Sequence, residues 1–156
     1  MKKIQKTVEK LVVMQYNNFM NLKSFCESID ITKDQFYGII PIHKNIHIYD
    51  DIIPDNFSPY VYGSLSLRSL TVIPNNFTPT VMNYLYLPYI TKIPEDFKAR
   101  VSSILYLNIL EYWPKWFKPQ VEDKIYIPKL KSETLKKLIE NPKTRKLGYN
   151  LLNNID

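Results

Sequence analysis

The sequence predicts an α+β protein: a short-repeat solenoid of about four to five turns with one parallel β-sheet and helical caps at both termini. Three observations lead there. Proline, phenylalanine, valine and leucine recur every 20 residues through the middle of the chain, with no insertion. Each copy holds one apolar pair at period 2, the signature of a short strand. The 156 residues include 11 Pro and 12 Tyr but only 3 Gly. So many prolines argue against a long helical bundle, and so few glycines argue against a nucleotide-cradling α/β enzyme.

Four copies run in register. They are IPDNFSPYVYGSLSLRSLTV from Ile53, IPNNFTPTVMNYLYLPYITK from Ile73, IPEDFKARVSSILYLNILEY from Ile93 and WPKWFKPQVEDKIYIPKLKS from Trp113. Pro54, Pro74, Pro94 and Pro114 share one column, and Phe57, Phe77, Phe97 and Phe117 another. Val61, Val81, Val101 and Val121 follow, then Leu65, Leu85, Leu105 and Ile125, then Leu67, Leu87, Leu107 and Ile127. Leu70, Ile90, Leu110 and Leu130 close the unit. Pro59, Pro79 and Pro119 match as well, with Ala99 as the exception. Ile46 and Ile48 read as the strand of an earlier, degenerate turn, one residue out of register.

The L-x-L pair points both side chains to one face of a strand too short to bury that face alone. Stacking identical units buries a continuous core. Two prolines per return segment fix φ and remove donors, so that segment is expected to be extended, polyproline-like or a brief 3₁₀ turn. The phenylalanines are expected to stack as an internal ladder opposite the leucines.

These columns resemble the leucine-rich repeat superfamily in its short form. The I-P-x-x-F spelling is similar to the short repeats called FNIP in amoebae and giant viruses, and to short repeats of phage and bacterial proteins. The resemblance covers residues 45–130. The usual repeat has Asn or Cys after the strand, whereas here the column reads Leu70, Ile90, Leu110 and Leu130, so the corner after the strand is built differently.

One outward residue lies between the paired leucines of each strand: His47, Ser66, Tyr86, Tyr106 and Tyr126. The outward column after it reads Tyr49, Arg68, Pro88, Asn108 and Pro128, and the one before reads Ser64, Tyr84, Ile104 and Lys124. With strands about 4.8 Å apart, Tyr86, Tyr106 and Tyr126 form a ladder flanked by Tyr84 and Tyr89. Tyrosine gives large contact area at low entropic cost and keeps a polar tip, so this face is the candidate protein-binding surface, with Arg68 and Asn108 on its margin. The competing reading is that tyrosine is simply a good strand residue stacking across strands. Trp113 takes the place of the recurrent Ile and belongs to the core. Trp116 falls in the variable column of Asn56, Asn76 and Asp96, and is a second contact candidate.

Residues 1–44 predict a helical cap. Ile4, Val8, Leu11, Val12 and Tyr16 fit one helix over 2–18. The following segment, 20–40, resembles a helix-turn-helix. Leu22, Phe25, Cys26 and Ile29 face inward on its first helix, and Asp30 stands at the turn. Thr32 is the N-cap of the second helix with Gln35 completing a capping box, and Phe36, Ile39 and Ile40 are its inward positions. The resemblance implies DNA contacts from Lys33 and Gln35, although Asp34 would repel phosphate. Cys26 reads as a small buried hydrophobe. Residues 131–156 predict a second cap: Ser132 as N-cap, an apolar face of Leu135, Leu138 and Ile139, a stop at Pro142, then a short helix through Leu147, Leu151, Leu152 and Ile155. Lys143, Arg145 and Lys146 form a basic cluster that could meet acidic protein or nucleic acid.

The formal net charge of +6 resides at the ends: 1–44 and 131–156 carry +3 each, and 45–130 is balanced. One cysteine excludes an internal disulfide framework and a cysteine-based zinc site. No signal peptide or apolar run of about 18 residues is present, so the expectation is a cytoplasmic, soluble protein without membrane contact. His43 and His47 have no recognisable nucleophile partner, and no Walker loop, dinucleotide fingerprint or H-x-x-x-H pair occurs. Asp55, Glu95 and Asp96 read as solvated corner acids.

The functional expectation is therefore a non-enzymatic macromolecule-binding protein without cofactor or metal, with a protein as partner. Its finer form is a virus- or phage-encoded adaptor or inhibitor of a host defence protein. The alternatives are a nucleic-acid-binding regulator acting through residues 20–40 and a self-assembling structural protein that forms homo-oligomers.

Overall fold

The computed structural model describes residues 22–152. The expected helix over 2–18 lies outside the described residues, as does Ile155. Helix α1 covers residues 22–28 and α2 covers Lys33–Phe36. Nine strands follow: β1 (Ile46–Ile48), β2 (Tyr60–Val61), β3 (Leu65–Leu67), β4 (Thr80–Val81), β5 (Leu85–Tyr86), β6 (Arg100–Val101), β7 (Ile104–Tyr106), β8 (Gln120–Val121) and β9 (Lys124–Tyr126). Helices α3 (Ser132–Glu140) and α4 (Arg145–Leu152) come after them.

The mixed α+β solenoid of about four turns is the predicted class, and every strand pair is parallel. The sheet built on the leucine pairs has five strands, in the order β1-β3-β5-β7-β9. Its register follows the repeat: Leu65 pairs with Leu85, Leu85 with Leu105 and Leu105 with Ile125. The degenerate first turn joins it by pairing Ile46 with Leu65.

One expectation is corrected. The return segment forms a second parallel sheet, in the order β2-β4-β6-β8, where a single sheet was predicted. The prolines permit this because they stand just outside the two-residue strands, before β2, β4 and β8. Pro59 and Pro79 contribute only their carbonyls, which accept from the N–H groups of Thr80 and Arg100 at 2.9 and 3.0 Å. Ile42 bridges to Val61 and extends this sheet toward the N-terminus. The corner after the leucine strand is a tight turn, closed in later coils by Leu110 N–H to Leu107 O and Leu130 N–H to Ile127 O, both at 3.3 Å. Leu110 and Leu130 are themselves buried, so the backbone itself satisfies the corner.

The core runs unbroken from Phe25 to Leu151. Phe57, Phe77, Phe97 and Phe117 stack in sequence with centroids 6.0, 5.6 and 5.5 Å apart and planes within 23° of parallel. Such pairs contribute about 0.5–1.5 kcal/mol each beyond the area they bury. Phe36 continues the ladder, 5.0 Å from Phe57, and Phe25 meets Phe57 edge-on at 5.4 Å. The two helices thus cover the otherwise open end of the first coil. Trp113 is buried, and its Nε1–H donates to Phe117 O at 3.1 Å.

The N-terminal helices match part of the expectation. Asp30 adopts the left-handed conformation at φ 53°. Thr32 and Gln35 form both bonds of the capping box, at 3.0 and 3.2 Å. Helix α2, however, is one turn long. Gly38, at φ 72°, ends it, and a side chain there would collide with Ser58 O. Ile39 and Ile40, expected inward, are 71% and 46% exposed. At the C-terminal end Lys131 occupies the N-cap position with no side-chain bond, and Ser132 is the first helical residue, correcting its assignment as cap. Gly148 lets α4 approach the α3 backbone closely, since a Cβ there would sit 2.9 Å from Ile139 N.

Candidate binding surfaces on the two sheets

The five-stranded sheet brings four predicted tyrosines together. Register pairs Tyr86 with Tyr106 and Tyr106 with Tyr126. Their centroids are 5.6 Å apart in both steps, with planes at 72° and 60°. Tyr84 meets Tyr106 at 6.0 Å and 89°. The rings therefore interlock edge to face instead of stacking flat, the geometry that the ring quadrupole favours. Each is partly exposed, so one side of the ladder packs on its neighbours and the other faces solvent. Lys124 Nζ lies 6.0 Å from the Tyr126 ring centroid at the C-terminal end of the row.

The remaining members of the predicted surface are more scattered. Tyr89 stands at the corner after β5 and is 54% exposed. Asn108 sits at the corner after β7, and its buried Oδ1 has no hydrogen-bond partner among the described residues. Arg68 is exposed at the other end of the face, with its guanidinium 5.8 Å from the Tyr49 ring centroid. Ser64 and Ser66, placed in outward columns by the repeat, are nearly inaccessible. In register, Ser66 lies between His47 and Tyr86, so two small side chains interrupt the aromatic surface between Arg68 and the tyrosine row.

Trp116 does not belong to this face. It is 39% exposed and lines a depression of about 560 Å³ over the second sheet, together with Lys98, Arg100, Lys118 and Gln120. The four-stranded sheet has its own outward column of Tyr60, Thr80, Arg100 and Gln120, alternating with the buried Val61, Val81 and Val101 and the half-buried Val121. Arg100 Nε donates to Gln120 Oε1 at 2.8 Å. At the opposite end Tyr60 and Tyr62 stack at 5.2 Å, and His43 stacks on Tyr62 at 4.6 Å. A hydrogen bond to the Tyr62 hydroxyl, followed by that group's charge and burial, raises the Tyr60 hydroxyl pKa, and Arg100 opposes the shift. The alternation P-x-V with polar residues between was the signal for this face. An extended or 3₁₀ return segment, as the prolines predict, does not by itself define an outward column.

The candidate nucleic-acid residues are dispersed. Gln35 is committed to its own fold: Oε1 accepts from Thr32 N–H, and Nε2 donates to Pro41 O at 3.3 Å. Lys33 is exposed in the single turn of α2. Arg145 Nε donates to Ile139 O at 3.1 Å and so caps the end of α3. Lys143 and Lys146 flank it, exposed, at the opposite end of the molecule from α2.

Among the described residues no helix is long and apolar enough to cross a membrane, and no group of His, Cys, Asp and Glu is placed to hold a metal ion. Comparison with family models, with curated proteins and with solved structures finds no match to this chain.

Proposed function

We propose that this protein is a non-catalytic binding module that engages another protein through the tyrosine row of its five-stranded sheet. The supporting observation is the interlocked cluster of Tyr84, Tyr86, Tyr106 and Tyr126, half-exposed on rigid strands. Aromatic anchors held in place by their neighbours lose little entropy on binding, which is the economy that protein interfaces exploit. The finer family reading belongs with this proposal. Buried L-x-L pairs and the I-P-x-x-F return support kinship with short leucine-rich repeats, and an adaptor or inhibitor of a host protein is the form such a module takes in a viral or phage setting.

A nucleic-acid regulator acting through residues 20–40 has less support. A recognition element needs several turns to reach base edges in a groove, and α2 has one. Affinity capture with the double variant Tyr86→Ala, Tyr106→Ala tests the main reading. Loss of the captured protein with the fold intact by circular dichroism supports it. Full retention of the partner overturns it.

A further inference from the structure

The second sheet carries a different chemistry from the tyrosine row, and we infer that its outer face is a separate docking trough for an acidic, extended peptide segment. Lys98, Arg100 and Lys118 all line the depression beside Trp116. Lys98 and Lys118 occupy the same repeat position in adjacent coils, about 4.8 Å apart along the solenoid. Like charges placed opposite one another destabilise a sheet. Among the described residues none of these three cations has a carboxylate within ion-pair distance, whereas Lys44, Lys131 and Lys137 each hold one at 2.7 or 2.8 Å. An incoming anion removes that repulsion.

The geometry favours carboxylates on a peptide. The Nε bond to Gln120 fixes the Arg100 guanidinium, leaving its terminal N–H groups to grip a carboxylate bidentately. A second depression of about 530 Å³ shares Thr78, Thr80 and Arg100 with the first and runs on to Tyr60 and Met82. From the Gln120 coil to the Tyr60 coil is three strand spacings, about 14 Å, enough for about four extended residues. Trp116 supplies an apolar anchor at one end, in a column that otherwise holds small polar residues. Glu95 lines the first depression beside these cations, and Glu122 lines the second. A continuous phosphate chain would bring charge against both acids, whereas a peptide can set neutral residues opposite them and its one or two carboxylates opposite the cations. Tyr62 stacks with both Tyr60 and His43, which takes one ring face of each of those two out of use as a platform for bases.

Fluorescence anisotropy of the full chain with a fluorescein-labelled peptide of about eight residues, uncharged except for two central Glu, tests this; a Gln-for-Glu counterpart and a labelled oligothymidylate are the comparison probes. The Glu peptide is expected to bind, the Gln peptide to bind at least about tenfold more weakly, and Lys98→Glu with Lys118→Glu to weaken the Glu peptide by a similar factor. Trp116→Phe is expected to weaken it, whereas Tyr86→Ala, Tyr106→Ala leaves it unchanged, which separates this trough from the tyrosine surface. Equal binding of the Gln peptide, tighter binding of the oligothymidylate, insensitivity to charge reversal or no binding at about 50 mM salt would each overturn the inference.

Discussion

The Tyr106 ring stands edge-on to Tyr86, with centroids 5.6 Å apart and planes at 72°. Tyr84 and Tyr126 complete its surroundings at 6.0 and 5.6 Å. Tyr106 is therefore the hub of the row, and its ring and hydroxyl do separate work. The ring packs on three neighbours, while the hydroxyl forms no hydrogen bond within the described residues. Tyr106→Ala is expected to lower stability by about 1–3 kcal/mol, whereas Tyr106→Phe should stay within about 0.5 kcal/mol of the parent. Urea unfolding measures both. If the proposed surface is used, the Phe variant nonetheless binds its partner more weakly.

Phe77 is fully buried between Phe57 and Phe97. Replacing it with alanine opens a cavity in the centre of the ladder, and the coils above and below are held by their own hydrogen bonds against collapse. The expected loss is about 3–5 kcal/mol. Phe77→Leu should lose much less, because it keeps most of the volume. Similar unfolding midpoints for the two variants would show that the ladder is not continuous.

The corner before the phenylalanine depends on Asn76. Its φ is 53°, its side-chain amide donates to Asn56 Oδ1 at 2.9 Å and its own N–H donates to Asp96 Oδ2 at 2.6 Å. Alanine there meets the left-handed penalty of about 1–2 kcal/mol and loses the side-chain bond, typically about 1 kcal/mol. Glycine loses only the bond. Stability should therefore fall in the order parent, Asn76→Gly, Asn76→Ala. If the two variants are equally stable, positive φ at this corner is not the controlling feature.

Much of this architecture was legible because a repeat turns one local rule into a column. Four prolines, four phenylalanines and four valines at constant spacing leave few alternatives to stacked coils. The period-2 leucine pairs by themselves place Tyr86, Tyr106 and Tyr126 in one row. The second sheet was hidden because its strands are two residues long and follow prolines, which are normally evidence against a strand. Ile39 and Ile40 continue the apolar spacing of α2 beyond its end; only the collision of a side chain at Gly38 with Ser58 O, a contact 20 residues distant in sequence, reveals the stop. Trp116 stands in its own column of the repeat, with Asn56, Asn76 and Asp96, but without the second sheet that column has no face to be assigned to.

Cys26 is 6% exposed on α1. Burial first, and then the Glu27 carboxylate, push its thiol above the ordinary cysteine range. Because thiolate is the reactive form, both effects slow it at neutral pH. Ellman's reagent at mildly alkaline pH should react far more slowly with the folded protein than with the urea-unfolded chain. Equal rates would mean that α1 detaches readily from the first coil.

Ala99 breaks the proline column formed by Pro59, Pro79 and Pro119, and Ala99→Pro is expected to stabilise the protein. Proline suits this backbone, since the same coil position already holds it in three other turns. The preceding residue must be extended, a condition met at Ser58, Thr78 and Lys118, the equivalents of Lys98. The Ala99 N–H donates no backbone hydrogen bond among the described residues, and its carbonyl, which accepts from Gln120 N–H at 3.0 Å, is retained. Proline then acts through the unfolded chain, which has fewer conformations to lose, for a gain of about 0.4–1 kcal/mol. At this chain length that is a rise in Tm of about 1–4 °C. Calorimetry reads the sign directly. A fall in Tm would mean that the interior beneath Ala99, which is 4% exposed, has no room for the ring, and that this coil is packed more tightly than its neighbours.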